Sequence, residues 1–407
     1  MTWRRDLAFC AAIPLAFALP AAGQTIEILQ WLMPGTYLGG RLALSPDGTT
    51  LYHTSVFEMA IFSRDPSTGE LAFLTDLVLD GEGVVVGGDD IAVAPDGGHV
   101  YFARYDTVYV FERNALDGTL IESSARDLDD GSGPCALALS GDGAFAYAAC
   151  SGANAMLAFA VDGGDGSLGE PTPVEVLGGP RDLALSPDGA HLYVSSFDLD
   201  ALHLYARDAG TGALSFVESY VDGENGVAGL DEVEDIAVTP DGSGVYARGH
   251  GGVIAAFARD LVSGALSFVE QDGPGTVYPY GDRIAADDDV VWLLAHAPGP
   301  RERPLELLAF TRDPASNAIN LADRKILIDQ QTGFGPSGLA IDPHGGVIAT
   351  GAYVGMFRAV FVPEPDALAA FLAAAAALGA QYKRQNARPV ETRRGPRKGA
   401  ARSSAGR

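Results

Sequence analysis

The sequence predicts an all-β fold: a seven-bladed β-propeller of four-stranded antiparallel blades, its ring closed by an N-terminal strand, with a hydrophobic helix appended at the C-terminus. Three observations carry this. A first turn recurs as Asp47-Gly48, Asp96-Gly97, Asp142-Gly143, Asp188-Gly189 and Asp241-Gly242, degenerates at Asp289, and returns as His344-Gly345, at spacings of 46–55 residues. A second turn recurs at Phe62–Leu71, Phe111–Leu120, Phe159–Leu168, Tyr205–Leu214, Phe257–Leu266 and Phe310–Ile319. Between the turns lie short segments rich in aromatic and β-branched residues, the composition of strands. A period near 40–50 residues with four strands per unit is the mark of a propeller blade.

The clearest unit runs from Gly179 to Glu218. Leu183–Ser186 is a short apolar strand, and Pro187-Asp188-Gly189 ends it. Proline presets φ, aspartate bonds its own backbone, and glycine takes positive φ without penalty. Leu192–Ser195 and Leu202–Tyr205 are the second and third strands. A turn at Arg207–Gly212 leads to an alternating outer strand, Leu214–Val217. The seventh unit lacks its second turn and outer strand. Upstream of the first unit, Thr25–Leu32 alternates like a strand but has no unit of its own. It supplies the missing outer strand, which closes the ring with one strand from each chain end.

The remaining segments address the protein. Residues 1–23 have a charged start (Arg4, Arg5), an apolar stretch (Leu7–Leu19) and a small-residue site (Ala21-Ala22-Gly23), the pattern of a secretory signal. The propeller occupies 24–361 and the last segment 362–407. The body between the two end segments holds 16 Lys and Arg against 49 Asp and Glu, with Lys325 its only lysine. Nucleic acid is excluded as a partner, since that needs a basic footprint. An acidic exported surface suits solubility, divalent cations such as calcium, or basic partners. The sign reverses after Phe361. Pro363-Glu364-Pro365 precedes an Ala/Leu run from Asp366 to Ala380 and then a basic end from Lys383 to Arg407. An apolar run before a basic cluster reads as a helix in contact with a membrane.

No nucleophile elbow, zinc-binding His-Glu-x-x-His or phosphate-binding glycine loop is present. The best site comes from geometry. The innermost strand of each blade begins at one mouth of the central channel. Six residues before each first turn, this places Arg41, Asp90, Ala136, Asp182, Asp235, Arg283 and Gly338 around that opening, with Arg181 beside Asp182. Mixed carboxylates and guanidiniums there suit a cation with oxygen ligands or a polar, sugar-like ligand. The alternative is that these charges pair with one another and only close the rim. Cys135 and Cys150 flank one hairpin. With a two-residue turn they lie opposite each other and can bridge; with a bulged turn they do not. Export permits the disulfide.

Two resemblances add to this reading. Pro363-Glu364-Pro365, the short apolar helix and the basic end, in that order, resemble the PEP-CTERM sorting signal of Gram-negative bacteria. This implies processing by an exosortase-type membrane protease and delivery to the cell surface or its exopolysaccharide matrix. The repeat from residue 41 to 361, carried by Gly179-Pro-Arg-Asp-Leu-Ala-Leu-Ser-Pro-Asp-Gly-Ala-His-Leu-Tyr-Val194 and the Arg-Asp…Thr-Gly-x-Leu turns, resembles the seven-bladed lactonase-like propellers, those of 6-phosphogluconolactonase and YVTN type. Where that family has Gly-Pro-Arg-His this chain has Gly179-Pro180-Arg181-Asp182, and where it has Pro-His, Pro134-Cys135. With those histidines replaced, the leading expectation is a non-catalytic binding or scaffold protein whose partner is exopolysaccharide or another surface protein. A lactonase-like hydrolase with an altered site, and a calcium-stabilised adhesin, are the alternatives.

Overall fold

The computed structural model describes residues 23–32, 40–54, 59–77, 90–104, 106–128, 133, 135–176, 178–273, 283–296, 305–328, 338–342, 346–350 and 354–362. The chain divides into two compact units, Met1–Phe361 and Val362–Arg407. The signal-like segment, Pro363-Glu364-Pro365 and the expected C-terminal helix lie outside the described residues. Among the described residues, no helix is long and apolar enough to cross a membrane.

Six sheets are each built from four consecutive strands and follow one another along the chain. Blade 1 consists of Leu42–Leu44, Thr50–Thr54, Met59–Arg64 and Leu71–Leu77. Blades 2 to 6 span 90–127, 135–174, 180–221, 235–272 and 283–328. The seventh sheet is different. Gly338–Asp342, Gly346–Thr350 and Val354–Val362 stand in order, and Gly23–Leu32 from the other end of the chain takes the outer edge. The two chain ends thus meet in one closing sheet.

Burial explains the strand order. Where their burial is described, the second strands carry no exposed position: Thr50–Thr54, His191–Ser196 and Gly244–Arg248 are buried throughout. The outer strands face water; Leu120–Asp127 is buried only at Leu120. A blade cannot cover both faces of its own sheet, so the core forms between blades. Tyr147 and Met156 of blade 3 pack with Leu192 and Tyr205 of blade 4. Tyr193 and Leu204 of blade 4 pack with Val245 and Phe257 of blade 5. Each such side chain contributes about 1.5–3 kcal/mol when buried. A bulge recurs where the third strand meets the outer one, at Phe62, Phe111, Tyr205, Phe257 and Phe310. Bulges increase twist, which a radial stack of sheets requires.

A polar clasp accompanies this packing, and it explains the Arg-Asp of the second turn. Arg259 of blade 5 donates through Nε to Tyr193 Oη of blade 4 at 2.8 Å, through Nη1 to Gly242 O at 3.1 Å, and through Nη2 to Asp188 Oδ2 at 2.8 Å. Tyr193 in turn donates to Gly264 O. Arg113 repeats this with Tyr52, Gly97 and Asp47, and Arg207 with Tyr147, Gly189 and Asp142. Arg312 reaches Asp241 of blade 5 and the carbonyl of Asp288, with Asn317 in the tyrosine's place. The first turn thus holds the next blade as well as reversing the chain.

Candidate functional site: the channel mouth

Of the residues expected at the mouth, Arg41, Asp90, Asp235 and Arg283 are brought together. Arg41 Nε lies 3.7 Å from Asp90 Oδ1, and its Nη1 lies 3.6 Å from Asp235 Oδ1. Arg283 Nη1 stands 3.8 Å from the same Asp235 oxygen. Arg41 therefore links blade 1 to its neighbour and to blade 5 across the opening.

The three aspartates share a second role that the spacing alone did not disclose. Asp90 Oδ2 accepts from the Leu137 backbone N–H at 2.7 Å, Asp182 Oδ2 from Ile236 N–H at 2.9 Å, and Asp235 Oδ2 from Ile284 N–H at 2.7 Å. In each case the donor sits on the innermost strand of the next blade. One carboxylate oxygen joins blades; the other faces Arg41 in Asp90 and Asp235, and in Asp90 it also accepts from Ile91 N–H.

Asp182 is set apart. It is buried, and among the described residues it has no ion pair. Burial, then the nearby Asp235 charge, raise its pKa well above the usual carboxylate range. Arg41 is held above its ordinary value: burial opposes its charge, but Asp90, Asp235 and Asp182 together outweigh burial. Arg283 shifts the other way, lowered by burial and then by repulsion from Arg41. Groups pushed apart in this manner mark sites able to move a proton.

The strand that carries Asp182 is irregular. Pro180 pairs with Ser196 and Leu183 with Val194, so the register slips between them, at Arg181 and Asp182. A bulge re-aims side chains and is frequent beside active sites. Arg181 stacks over Phe197, 4.6 Å from the ring centroid. Its Nε is buried without a hydrogen-bond partner among the described residues.

Reasoning from the sequence missed Arg248. It ends the second strand of blade 5, fully buried, and pairs with Glu234. The signal was present: a charged residue closing an otherwise apolar strand, Gly-Val-Tyr-Ala-Arg248. The acidic loop 222–234 is engaged with its own surroundings. Asp222 accepts from Leu230 N–H, Asp200 from Glu232 N–H, and Glu232 pairs with His250. Among the described residues no group of three or more carboxylate, imidazole or thiol side chains is gathered as for a metal ion.

Cys135 and Cys150 face each other in the register of blade 3 and are joined by a disulfide, with Cα atoms 4.1 Å apart. The pairing Leu139 to Ala146 continues it, so the turn has the even register that puts both thiols on one face. The bridge adjoins Ala136, the mouth position of blade 3.

With this geometry in hand, the chain can be set beside known proteins. The family described as lactonase, 7-bladed β-propeller, matches residues 120–231, which include Arg181 and Asp182. No protein of curated function matches. A candidate 6-phosphogluconolactonase of Bacteroides uniformis is similar at 22% identity, TM-score 0.57, over 71% of this chain and 86% of that one. The periplasmic gluconolactonase of Pseudomonas aeruginosa is similar at 21% identity, TM-score 0.56, over 72% of this chain and 87% of that one. The Swd1 β-propeller domain of Myceliophteria thermophila reaches TM-score 0.61 at 12% identity, over 82% of this chain and all of that one. At such identities the likeness is one of fold, and that fold serves unrelated functions. What is established is the fold, an all-β propeller of four-stranded antiparallel blades.

Proposed function

We propose that the chain is an exported lactonase-like propeller that takes a polyhydroxylated lactone at the channel mouth and hydrolyses its ester bond, with Asp182 as the base. The observation that carries this is a buried carboxylate of raised pKa next in sequence, on one bulged strand, to an arginine whose Nε is buried without a hydrogen-bond partner among the described residues. A base works best when its pKa lies near the working pH. Asp182 takes a proton from water as the oxygen attacks the carbonyl carbon. The developing oxyanion is stabilised by Arg181. The ring C–O bond then breaks, and protonated Asp182 returns the proton to the leaving alkoxide. Arg41 and Arg283 bind the substrate's polar groups and hold its orientation.

The test is hydrolysis of glucono-δ-lactone followed by proton release. Turnover rises with pH as Asp182 ionises. Asp182→Asn lowers kcat/KM by about 10²–10⁴-fold, while Arg181→Lys, which lacks the planar fork, lowers it less. Wild-type rates equal to the buffer blank with every lactone tried would sink the reading.

A non-catalytic surface scaffold is the second reading. It is favoured by the one carboxylate oxygen each of Asp90, Asp182 and Asp235 commits to the next blade. In either case, the signal-like residues 1–23 and the Pro363-Glu364-Pro365 segment would direct the protein out of the cytoplasm and into exosortase-type processing at the membrane.

A further inference from the structure

We propose that the junction between blades 2 and 3 is a binding site for a guanidinium group: a clasp socket whose arginine is missing. At four junctions an arginine of one blade is held by the blade before it. At the junction of blades 2 and 3 the arginine position is Val161. The rest of the socket is present. Asp96, His99 and Tyr101 occupy the positions of Asp188, His191 and Tyr193, the three side chains that hold Arg259.

The geometry of the socket is kept as well. Tyr101 donates to Gly166 O at 2.8 Å, as Tyr193 does to Gly264 O. A Cβ placed on Gly166 would meet the His99 ring, just as one on Gly264 would meet the His191 ring, so the two imidazoles stand alike. Asp96 is exposed and accepts only from Gly98 N–H among the described residues. No arginine nitrogen stands beside the corresponding turn glycine. A Cβ on Gly242 would meet Arg259 Nη1 at 3.2 Å, whereas one on Gly143 would meet only Pro95 Cδ, at 3.9 Å.

Carboxylate, phenol oxygen and turn carbonyl form a fork that matches a planar guanidinium and not a compact ammonium. The ligand is therefore an alkylguanidinium, either a small free molecule or an arginine side chain offered by a partner chain. The first turns lie at the far end of the strands from the channel mouth, so this site is separate from the lactone site and does not depend on it.

The test is binding to the full chain, by ligand-observed NMR, of agmatine, of N-acetyl-arginine amide and of a Gly-Arg-Gly peptide, with N-acetyl-lysine amide as control. The arginine-type probes bind with Kd on the order of 1 mM, and the lysine probe at least about tenfold more weakly. Val161→Arg supplies the missing plug and abolishes binding. Asp96→Asn weakens it about tenfold and stands as the second variant where Val161→Arg does not fold. Tighter binding of the peptide than of agmatine assigns the socket to a partner's arginine; the reverse assigns it to a small molecule. Equal binding of arginine and lysine probes, or binding unchanged in both variants, overturns the proposal.

Discussion

The junction of blades 4 and 5 and the junction of blades 2 and 3 begin alike and end differently. At the mouth each is fastened by an aspartate that accepts from the next blade's backbone, Asp182 to Ile236 in one and Asp90 to Leu137 in the other. Both bury aromatic and aliphatic side chains along their length. At the far end they part. Arg259 is clasped by Asp188, His191 and Tyr193, but Val161 leaves Asp96 and Tyr101 without a guanidinium. The clasp is therefore not required to place a blade, and where present it adds polar specificity. Blade 3, which lacks the arginine, is also the blade that carries the disulfide.

The largest expected effect comes from cutting that disulfide. Its cysteines are 15 residues apart, and a loop of that size is worth about 3 kcal/mol. Cys135→Ala with Cys150→Ala should lower the urea unfolding free energy by that amount. A loss under about 1 kcal/mol would mean that blade 3 is held by packing alone.

Next comes removal of a clasp. Arg259→Met takes a charged donor from Asp188 and a donor from Tyr193, which keep only their bonds to Ser186, Ala190 and Gly264, at a cost of about 2 kcal/mol. The pH dependence has a definite sign. Burial works against the Asp188 charge, but the Ser186 hydroxyl and Arg259 overcome it and bring its pKa down to about 2. A depressed carboxylate stabilises the fold above its unfolded pKa, near 4, and that stability is lost as pH falls toward 2. Unfolding midpoints measured across this window should drop less steeply in the variant. Blade 3's clasp-free junction contributes nothing of this kind through an arginine.

Asp182→Asn tests the mouth end of the clasped junction. The raised pKa of Asp182 reverses the sign: the protonated group is at no disadvantage below pH 4, and the fold loses stability as pH rises from there through the folded pKa. The variant keeps the acceptor for Ile236 N–H and carries no charge. It should be more stable than the parent by about 1 kcal/mol or more near pH 8 and equal to it near pH 4, in urea titrations at the two values. The smallest effect expected is that of calcium. With the mouth carboxylates facing Arg41 and Arg283 and bonded to the next blade, calcium followed by chelator should move the midpoint by less than about 1 °C.

The strands, their two turns and the composition of the mouth were legible because each depends on local sequence. Asp188-Gly189 makes its turn wherever it stands, and Arg41, Asp90, Asp182 and Asp235 fall at one mouth by counting. What was not legible is whatever passes between blades. Nothing in Arg-Asp-Ala-Gly-Thr-Gly212 says that Arg207 will reach back to Asp142 and Tyr147. The slip at Arg181 and Asp182 was hidden as well, since the residues there fit a regular strand. Cys135 and Cys150 stood between: two registers were compatible with the sequence, and packing selects the even one.

The closing sheet has a bearing on how the molecule comes to be made. Gly23–Leu32 leaves the ribosome before any other described strand, and its neighbour, Val354–Val362, leaves after every other. A chain made from its N-terminus must therefore carry an unpaired strand until its synthesis ends. Contacts of such sequence separation form slowly, so the ring is an open arc until its final moment. Over that interval the waiting strand is a free edge, open to pairing with another chain.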